Sequence, residues 1–226
     1  MTASAPSSPA EVSKRRVRAL VGLRLLEVMR DLDIPSELLE EEDTTVTLPR
    51  RLGLNDVVGR QIRSFREDAR RGVRLTDPEI QDLFRLVIRR PDAEDIFFLA
   101  GQSLAGSKRP GWRRFLPKGM ALALARSRVR RRLKTLFGRR IGGLGRGAFS
   151  LEGRGLLFIE ADPGGEACAL VTGLCQTTIE QATGHKASLT HTLCQSRGDA
   201  LCRWEGALLE GAPEPPPPPA ADSVAD

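Results

Sequence analysis

Tyrosine is absent from this chain of 226 residues, histidine occurs only twice, and aromatic side chains make up 4% of the sequence. Histidine is the commonest general acid or base in enzymes, so the chain has few groups of this kind. It also contains no recognisable nucleophile–base pair and no dinucleotide-binding fingerprint. We therefore expect a protein that is not an enzyme.

Long apolar runs are also missing. No stretch approaches the roughly 18 consecutive apolar residues of a membrane span, and the N-terminus lacks the charged and apolar regions of a signal peptide. The four cysteines could suggest disulfides, but that inference belongs to short secreted chains. A reduced cytoplasmic protein without a membrane span fits the sequence better.

Acidic residues are absent from 96 to 151, although the same segment contains 14 lysines and arginines. Because the whole chain has a net charge of +6, removing these 14 cations leaves the remainder at −8. All 14 lie between residues 108 and 146, which we call the basic block. Charge this one-sided indicates attraction to something anionic.

The densest part of the basic block falls on a helix predicted from 120 to 137. Arg128, Arg131 and Arg132 share one face of this helix, because residues three and four apart are neighbours. We predict that the basic block contacts an acidic regulatory protein. The candidate residues are Arg126, Arg128, Arg130, Arg131, Arg132, Lys134, Arg139 and Arg140.

Nucleic-acid binding through the basic block, 108–146, is the alternative, since its cations could neutralise several phosphates. Single-strand binders usually interleave aromatic side chains with their cations. Here the interleaving is thin and consists chiefly of Trp112 and Phe115. Nucleic acid is therefore the less favoured partner.

Cysteine is confined to residues 168–202. Thiolate sulfur and imidazole nitrogen are the ligands that a tetrahedral zinc site prefers. His191 and Cys194 are three residues apart, and the turn predicted after Cys194 would return Cys202 towards it. A fourth donor must come from outside this hairpin. The alternative is a set of buried residues in a reduced core.

Two cysteines could supply the fourth donor, and both lie on a helix predicted from 167 to 183. Cys168 and Cys175 are about 10 Å apart along such a helix, whereas two sulfurs on one zinc lie at most about 4.6 Å apart. We choose Cys168, because a helix N-terminus favours the thiolate. The sequence thus predicts a structural zinc site, and its ligands are Cys168, His191, Cys194 and Cys202.

The same region resembles the 4-vinyl reductase domain, whose fold is shared with core subunits of the TRAPP vesicle-tethering complexes. The resemblance is strongest over 140–210, and its motif residues are Cys168, Gly173, Gly184, His191, Cys194, Gly198, Asp199, Cys202 and Trp204. Family members that look zinc-binding typically use a helix-start Cys, a Glu and two further Cys. This sequence has His191 where Glu is usual, and His is itself a common zinc ligand.

The resemblance implies three roles. Such domains are effector-sensing modules of bacterial transcription activators, with a ligand pocket near the zinc site. They also occur in proteins associated with tetrapyrrole vinyl reduction, and their TRAPP relatives are scaffold subunits of small-GTPase regulators. We recognise no ATPase or helix-turn-helix output module in this chain.

We therefore expect a non-catalytic bacterial adaptor or sensor that acts through a protein partner. The resemblance implies a small GTPase or its regulator as the partner and a hydrophobic small molecule as a candidate ligand. An accessory enzyme of tetrapyrrole vinyl reduction is the enzymatic alternative. The oligomeric state stays open, with a homodimer among the candidates.

The order of the predicted elements indicates an α+β fold, with N-terminal helices packed on a small antiparallel sheet. Helices are predicted over 14–32, 54–69, 76–90, 93–104, 120–137 and 167–183, and strands over 148–150, 156–160, 186–194 and 201–209. The predicted organisation is a disordered segment 1–13, a helical extension 14–45, a 4-vinyl-reductase-like domain 46–210 and a disordered Pro-rich tail 211–226.

Overall fold

The computed structural model of the protein describes residues 16–33, 56–106, 117–138, 143–144 and 149–209. Some predictions concern residues outside these ranges. They are the disorder of 1–13 and 211–226, the domain boundary between 45 and 46, and the candidate cations Arg139 and Arg140.

Six α-helices occur among the described residues. Their bounds are α1 Ala19–Asp33, α2 Asp56–Arg71, α3 Asp77–Ile88, α4 Ala93–Leu104, α5 Lys118–Phe137 and α6 Cys168–Thr183. The bounds of α4 are those predicted, and α6 begins one residue later than predicted. None of these helices is long and apolar enough to cross a membrane.

The helix ends follow the local sequence signals. Thr76 caps α3: its side chain accepts from the Glu79 N–H, and the Glu79 side chain accepts from the Thr76 N–H, which forms a capping box. Gly138 and Gly184, both in the left-handed conformation, end α5 and α6. These signals explain why the predicted ends of those two helices agree with the structure.

The described strands form two antiparallel sheets. The larger sheet has the order β3-β4-β6-β5, with β3 Gly143–Leu144, β4 Phe149–Gly153, β5 Ala187–Leu193 and β6 Cys202–Leu208. The smaller sheet pairs β1 Val17–Arg18 with β2 Arg74–Leu75. A fold that combines helices with antiparallel sheets belongs to the α+β class, as predicted.

Helix α6 lies at the centre of the fold. It packs against α4 and α5 on one side and against β5 on the other. Eleven of its 16 residues are buried, which matches a helix that is apolar on most of its circumference. One hydrophobic core extends from Val17 to Trp204, so α1 belongs to the same core as the sheet.

Two glycines let α4 and α6 come into backbone contact. A Cβ atom at Gly101 would lie 2.2 Å from the carbonyl oxygen of Leu170. One at Gly173 would lie 2.1 Å from the carbonyl oxygen of Phe98. Both distances are far below van der Waals contact, so any larger residue at these positions would force the two helices apart.

The prediction of a strand over 156–160 is wrong. The segment forms turns, in which the Ala161 N–H donates to the Phe158 carbonyl oxygen at 3.1 Å. Leu156, Leu157 and Phe158 are all buried. A short apolar run reports burial and does not by itself distinguish a strand from a buried turn.

The helix predicted to start at residue 14 begins only at Ala19, because Val17 and Arg18 pair with β2. Helical spacing assigns Leu99 and Leu32 to the apolar stripes of their helices, yet they are 38% and 44% exposed. Both lie at the edge of an apolar stripe. Helical spacing alone does not show how wide the covered face is.

We predict that Gly101→Ala destabilises the fold by about 1–3 kcal/mol, because the added methyl group overlaps the backbone of α6. The change should appear as a lower melting temperature in circular dichroism. Gly119→Ala is the matched control, since nothing lies within 4 Å of a Cβ at that position in α5. It should be neutral or slightly stabilising, as alanine is the better helix former. Equal melting temperatures for Gly101→Ala and the wild type would contradict the close contact.

Candidate metal centre

Four donor side chains from three elements meet beside the N-terminus of α6. Cys168 is the first residue of α6, His191 lies on β5, Cys194 follows β5, and Cys202 opens β6. One ligand atom from each of the four lies within 4.8 Å of all the others. The four residues predicted from the sequence are therefore together in the fold, and they could hold a metal ion.

A β-bulge brings His191 and Cys194 onto one face of the hairpin. His191 lies opposite Trp204 and Leu193 lies opposite Arg203, so two residues of β5 advance against one residue of β6. In a regular strand, residues three apart point to opposite faces. The extra residue in the bulge removes this mismatch.

The connection between β5 and β6 is a single 3-10 turn, Gln195–Arg197, followed by Gly198 in the left-handed conformation. The N–H groups of Arg197 and Asp199 both donate to the carbonyl oxygen of Cys194. The predicted turn at Gly198-Asp199 is thus present, and it returns the chain to Cys202.

The separations within the cluster fit tetrahedral coordination. The sulfurs of Cys168 and Cys194 are 4.0 Å apart, against the about 3.8 Å expected for two thiolates on one tetrahedral zinc ion. All three cysteines are free thiols and are buried. The Nε2 atom of His191 is also buried and has no hydrogen-bond partner. A buried imidazole nitrogen without a partner beside three sulfurs fits a metal ligand.

Electrostatics distinguish Cys202 from the two cysteines of α6. A hydrogen bond with Cys168, and next the neighbouring His191, hold the pKa of the Cys202 thiol well below its ordinary value. The same hydrogen bond raises the pKa of Cys168. In Cys175, which is completely buried, burial alone raises the pKa of the thiol. Cys175 is therefore an inert core residue.

Surrounding groups hold the ligands in position. The rings of His191 and Trp204 are stacked, with centroids 4.7 Å apart and planes 18° apart. Trp204 is fully buried, and its Nε1–H donates to Thr172 Oγ1 on α6 at 3.1 Å. The Gln195 N–H donates to Cys202 Sγ at 3.3 Å, which favours the thiolate. The stacking on Trp204 and the hydrogen bond from Trp204 to Thr172 together fix the orientation of the His191 imidazole relative to α6.

Two residues before α6 support the centre but were not identified from the sequence. Asp162 is completely buried, and its carboxylate accepts from the N–H groups of Gly165 at 2.9 Å and Ala167 at 2.6 Å. Burial, and then hydrogen bonding with Glu166, raise the pKa of Asp162. Gly165 has φ +86°, and a Cβ atom there would lie 2.7 Å from Cys194 Sγ. The only sequence signal was the turn-like stretch 162–165.

A cavity of about 450 Å³ adjoins His191 on the side of α4. Its wall includes Glu94 and Asp95 of α4, and Arg197 of the 3-10 turn. Phe98, Ala169 and Leu189 also line it, so both charged and apolar side chains surround this cavity.

The candidate partner-binding residues on α5 do not form one face. Arg128, Arg131 and Arg132 line a groove between α5 and α6, as their spacing predicts. Arg130 and Lys134 are exposed one turn apart on α5 and do not line this groove. Arg126 is half-buried. The helix therefore carries cations both inside and outside the groove.

Comparison with protein-family models gives no match, and comparison with curated proteins gives no relative. The resemblance to the 4-vinyl reductase domain therefore rests on its motif residues alone.

We predict that Cys202→Ala loses bound metal and unfolds at a lower temperature, because metal-binding energy contributes directly to folding. The measurement is elemental analysis of protein purified without added metal, where the wild type should carry close to one ion per chain.

Cys175→Ala is the matched control, since it removes a buried cysteine from the same helix without touching the cluster. Its metal content should equal that of the wild type. A fully stable wild type without metal would contradict the site, and metal loss in Cys175→Ala would contradict the choice of Cys168.

Proposed function

We propose that the cluster holds a zinc ion in a structural role. The donors are three thiolates and one imidazole, a set that suits zinc. Cys168 would attach the ion to α6, and His191, Cys194 and Cys202 would attach it to the β5–β6 hairpin. The ion would supply charge neutralisation for the thiolates and a cross-link between these elements.

We infer that the protein is a non-catalytic regulatory adaptor or sensor. The single observation that carries this proposal is the complete set of four protein donors, which leaves no position for water or substrate on a tetrahedral ion. Catalytic zinc sites usually have three protein ligands and an open position. A closed centre therefore supports a scaffold whose work is done on its surface.

The surface that supports an adaptor role is the outer side of α5. Arg130 and Lys134 are exposed there, and no acidic residue occurs between 96 and 151 to neutralise them. Such a surface attracts an acidic protein, and the attraction weakens as salt rises. A small GTPase or its regulator is the partner class that the family resemblance favours.

Nucleic-acid binding and an accessory role in tetrapyrrole vinyl reduction remain the alternatives. The basic surface of α5 favours the first of them, since cations of this density also attract phosphates. The cavity beside His191 is the observation that bears on the second, because it offers a space next to the proposed zinc centre.

We predict that the double variant Arg130→Glu/Lys134→Glu loses the partner while keeping its metal and its melting temperature. Both side chains are exposed on the outer side of α5, so their reversal should disturb the surface alone. The measurement is quantitative mass spectrometry of proteins retained by the immobilised chain at low and at physiological salt.

The matched control is Arg128→Glu/Arg131→Glu, which changes the net charge equally but acts inside the groove. It should retain the partner. Acidic proteins captured equally by the wild type and by Arg130→Glu/Lys134→Glu would contradict the adaptor surface. Retention that disappears after nuclease treatment would support the nucleic-acid alternative instead.

A further inference from the structure

The groove between α5 and α6 is a separate feature of the fold. It has a volume of about 420 Å³, within the range of small-molecule sites. Arg128, Arg131 and Arg132 contribute its cationic wall, and Thr178 and Gln181 of α6 form the opposite wall. The distance along α6 from Cys168 to Thr178 is about 15 Å, so the groove is distinct from the metal centre.

The floor of the groove is fixed by the fold itself. Arg132 is half-buried, and its Nε–H donates to the carbonyl oxygen of Leu104 at 2.6 Å. Gln181 Nε2 donates to the carbonyl oxygen of Gly106 at 2.9 Å. Two helices thus hold the C-terminal end of α4 in place. Arg132 is a positioning residue, because it holds the end of α4. Its hydrogen bond to the Leu104 carbonyl oxygen already engages part of its charge.

The charges of the other two arginines, Arg128 and Arg131, are not engaged in this way. Among the described residues, no carboxylate pairs with Arg128 or Arg131, and no acidic residue lines the groove. Arg18 lies close enough to Arg132 to lower its pKa further after burial has done so. Several cations converge here without a counter-charge, and like charges at this spacing repel one another. An anion in the groove would relieve this repulsion.

The shape and chemistry of the groove narrow the class of anion. Arginine presents a planar fork of donors that matches phosphate in a bidentate manner. Ser127 and Thr135 lie on the same wall, and Leu124 adds an apolar surface. A phosphate ion alone would occupy only a small part of the volume. A ligand that fills the groove therefore needs an organic body attached to its phosphate.

We propose that this groove binds a phosphorylated small molecule about the size of a mononucleotide, with its phosphate held by Arg128 and Arg131. This goes beyond the proposed function and does not depend on it, because the ligand occupies the groove and the partner the outer side of α5. The concave wall between two helices favours a small molecule over a nucleic-acid duplex, which needs a broad surface.

The test is isothermal titration calorimetry of the metal-replete full chain in phosphate-free buffer at physiological salt. The probes are inorganic phosphate, pyrophosphate and ADP. We expect one site per chain, with ADP and pyrophosphate binding more tightly than phosphate. Arg128→Glu/Arg131→Glu should weaken ADP binding at least about tenfold, since each lost charged hydrogen bond contributes strongly. Arg130→Glu/Lys134→Glu should leave it unchanged within about twofold.

Three outcomes would overturn the proposal. The first is no saturable binding of pyrophosphate or ADP at about 1 mM. The second is an equal loss in both double variants, which would show general attraction to the basic helix. The third is tighter binding of a random DNA duplex than of ADP, together with weaker duplex binding by Arg128→Glu/Arg131→Glu. That result would assign the groove to nucleic acid. Loss of the protein partner in Arg130→Glu/Lys134→Glu with unchanged ADP binding would separate this site from the adaptor surface.

Discussion

Around the N-terminus of α6, the neighbouring structure is constrained to bring together Cys168, His191, Cys194 and Cys202. Three buried thiols and a buried imidazole nitrogen are poorly satisfied by one another, because sulfur is a weak hydrogen-bond partner. A cation in their centre would satisfy all four and would cross-link α6 to the β5–β6 hairpin. This constraint explains why so much local structure, including the bulge in β5 and the buried carboxylate of Asp162, is arranged around four side chains.

Helix α6 connects this centre to the rest of the molecule. Its first residue is a donor, its middle packs against α4 through Gly173, and its last two turns line the groove with Thr178 and Gln181. The cationic helix α5 rests on the same helix. A rigid α6 would therefore hold the proposed ligand groove and the proposed partner surface in fixed relation. The adaptor proposal therefore assigns a structural role to the metal and a recognition role to the arginines.

Much of this arrangement could be predicted from residue chemistry. The roughly 1.5 Å rise of a helix showed that only one of Cys168 and Cys175 can be a ligand, and the helix N-terminus favoured Cys168. Capping signals located the start of α3 and the ends of α5 and α6. Other features depend on tertiary contacts that spacing cannot reveal. The strand predicted over 156–160 is a buried turn, and no sequence signal marks the bulge in β5. The groove that Arg128, Arg131 and Arg132 line exists only because α6 packs against α5.

The central claim is that three sulfurs and one nitrogen bind a single zinc ion. X-ray absorption spectroscopy at the zinc edge, on protein purified without added metal, tests it most directly. The account predicts four-coordinate zinc with three sulfurs at about 2.3 Å and one imidazole nitrogen at about 2.0–2.1 Å. In His191→Ala, the nitrogen shell should be lost while the sulfur shell remains. Zinc coordinated mainly by oxygen, or a spectrum unchanged by His191→Ala, would contradict the account.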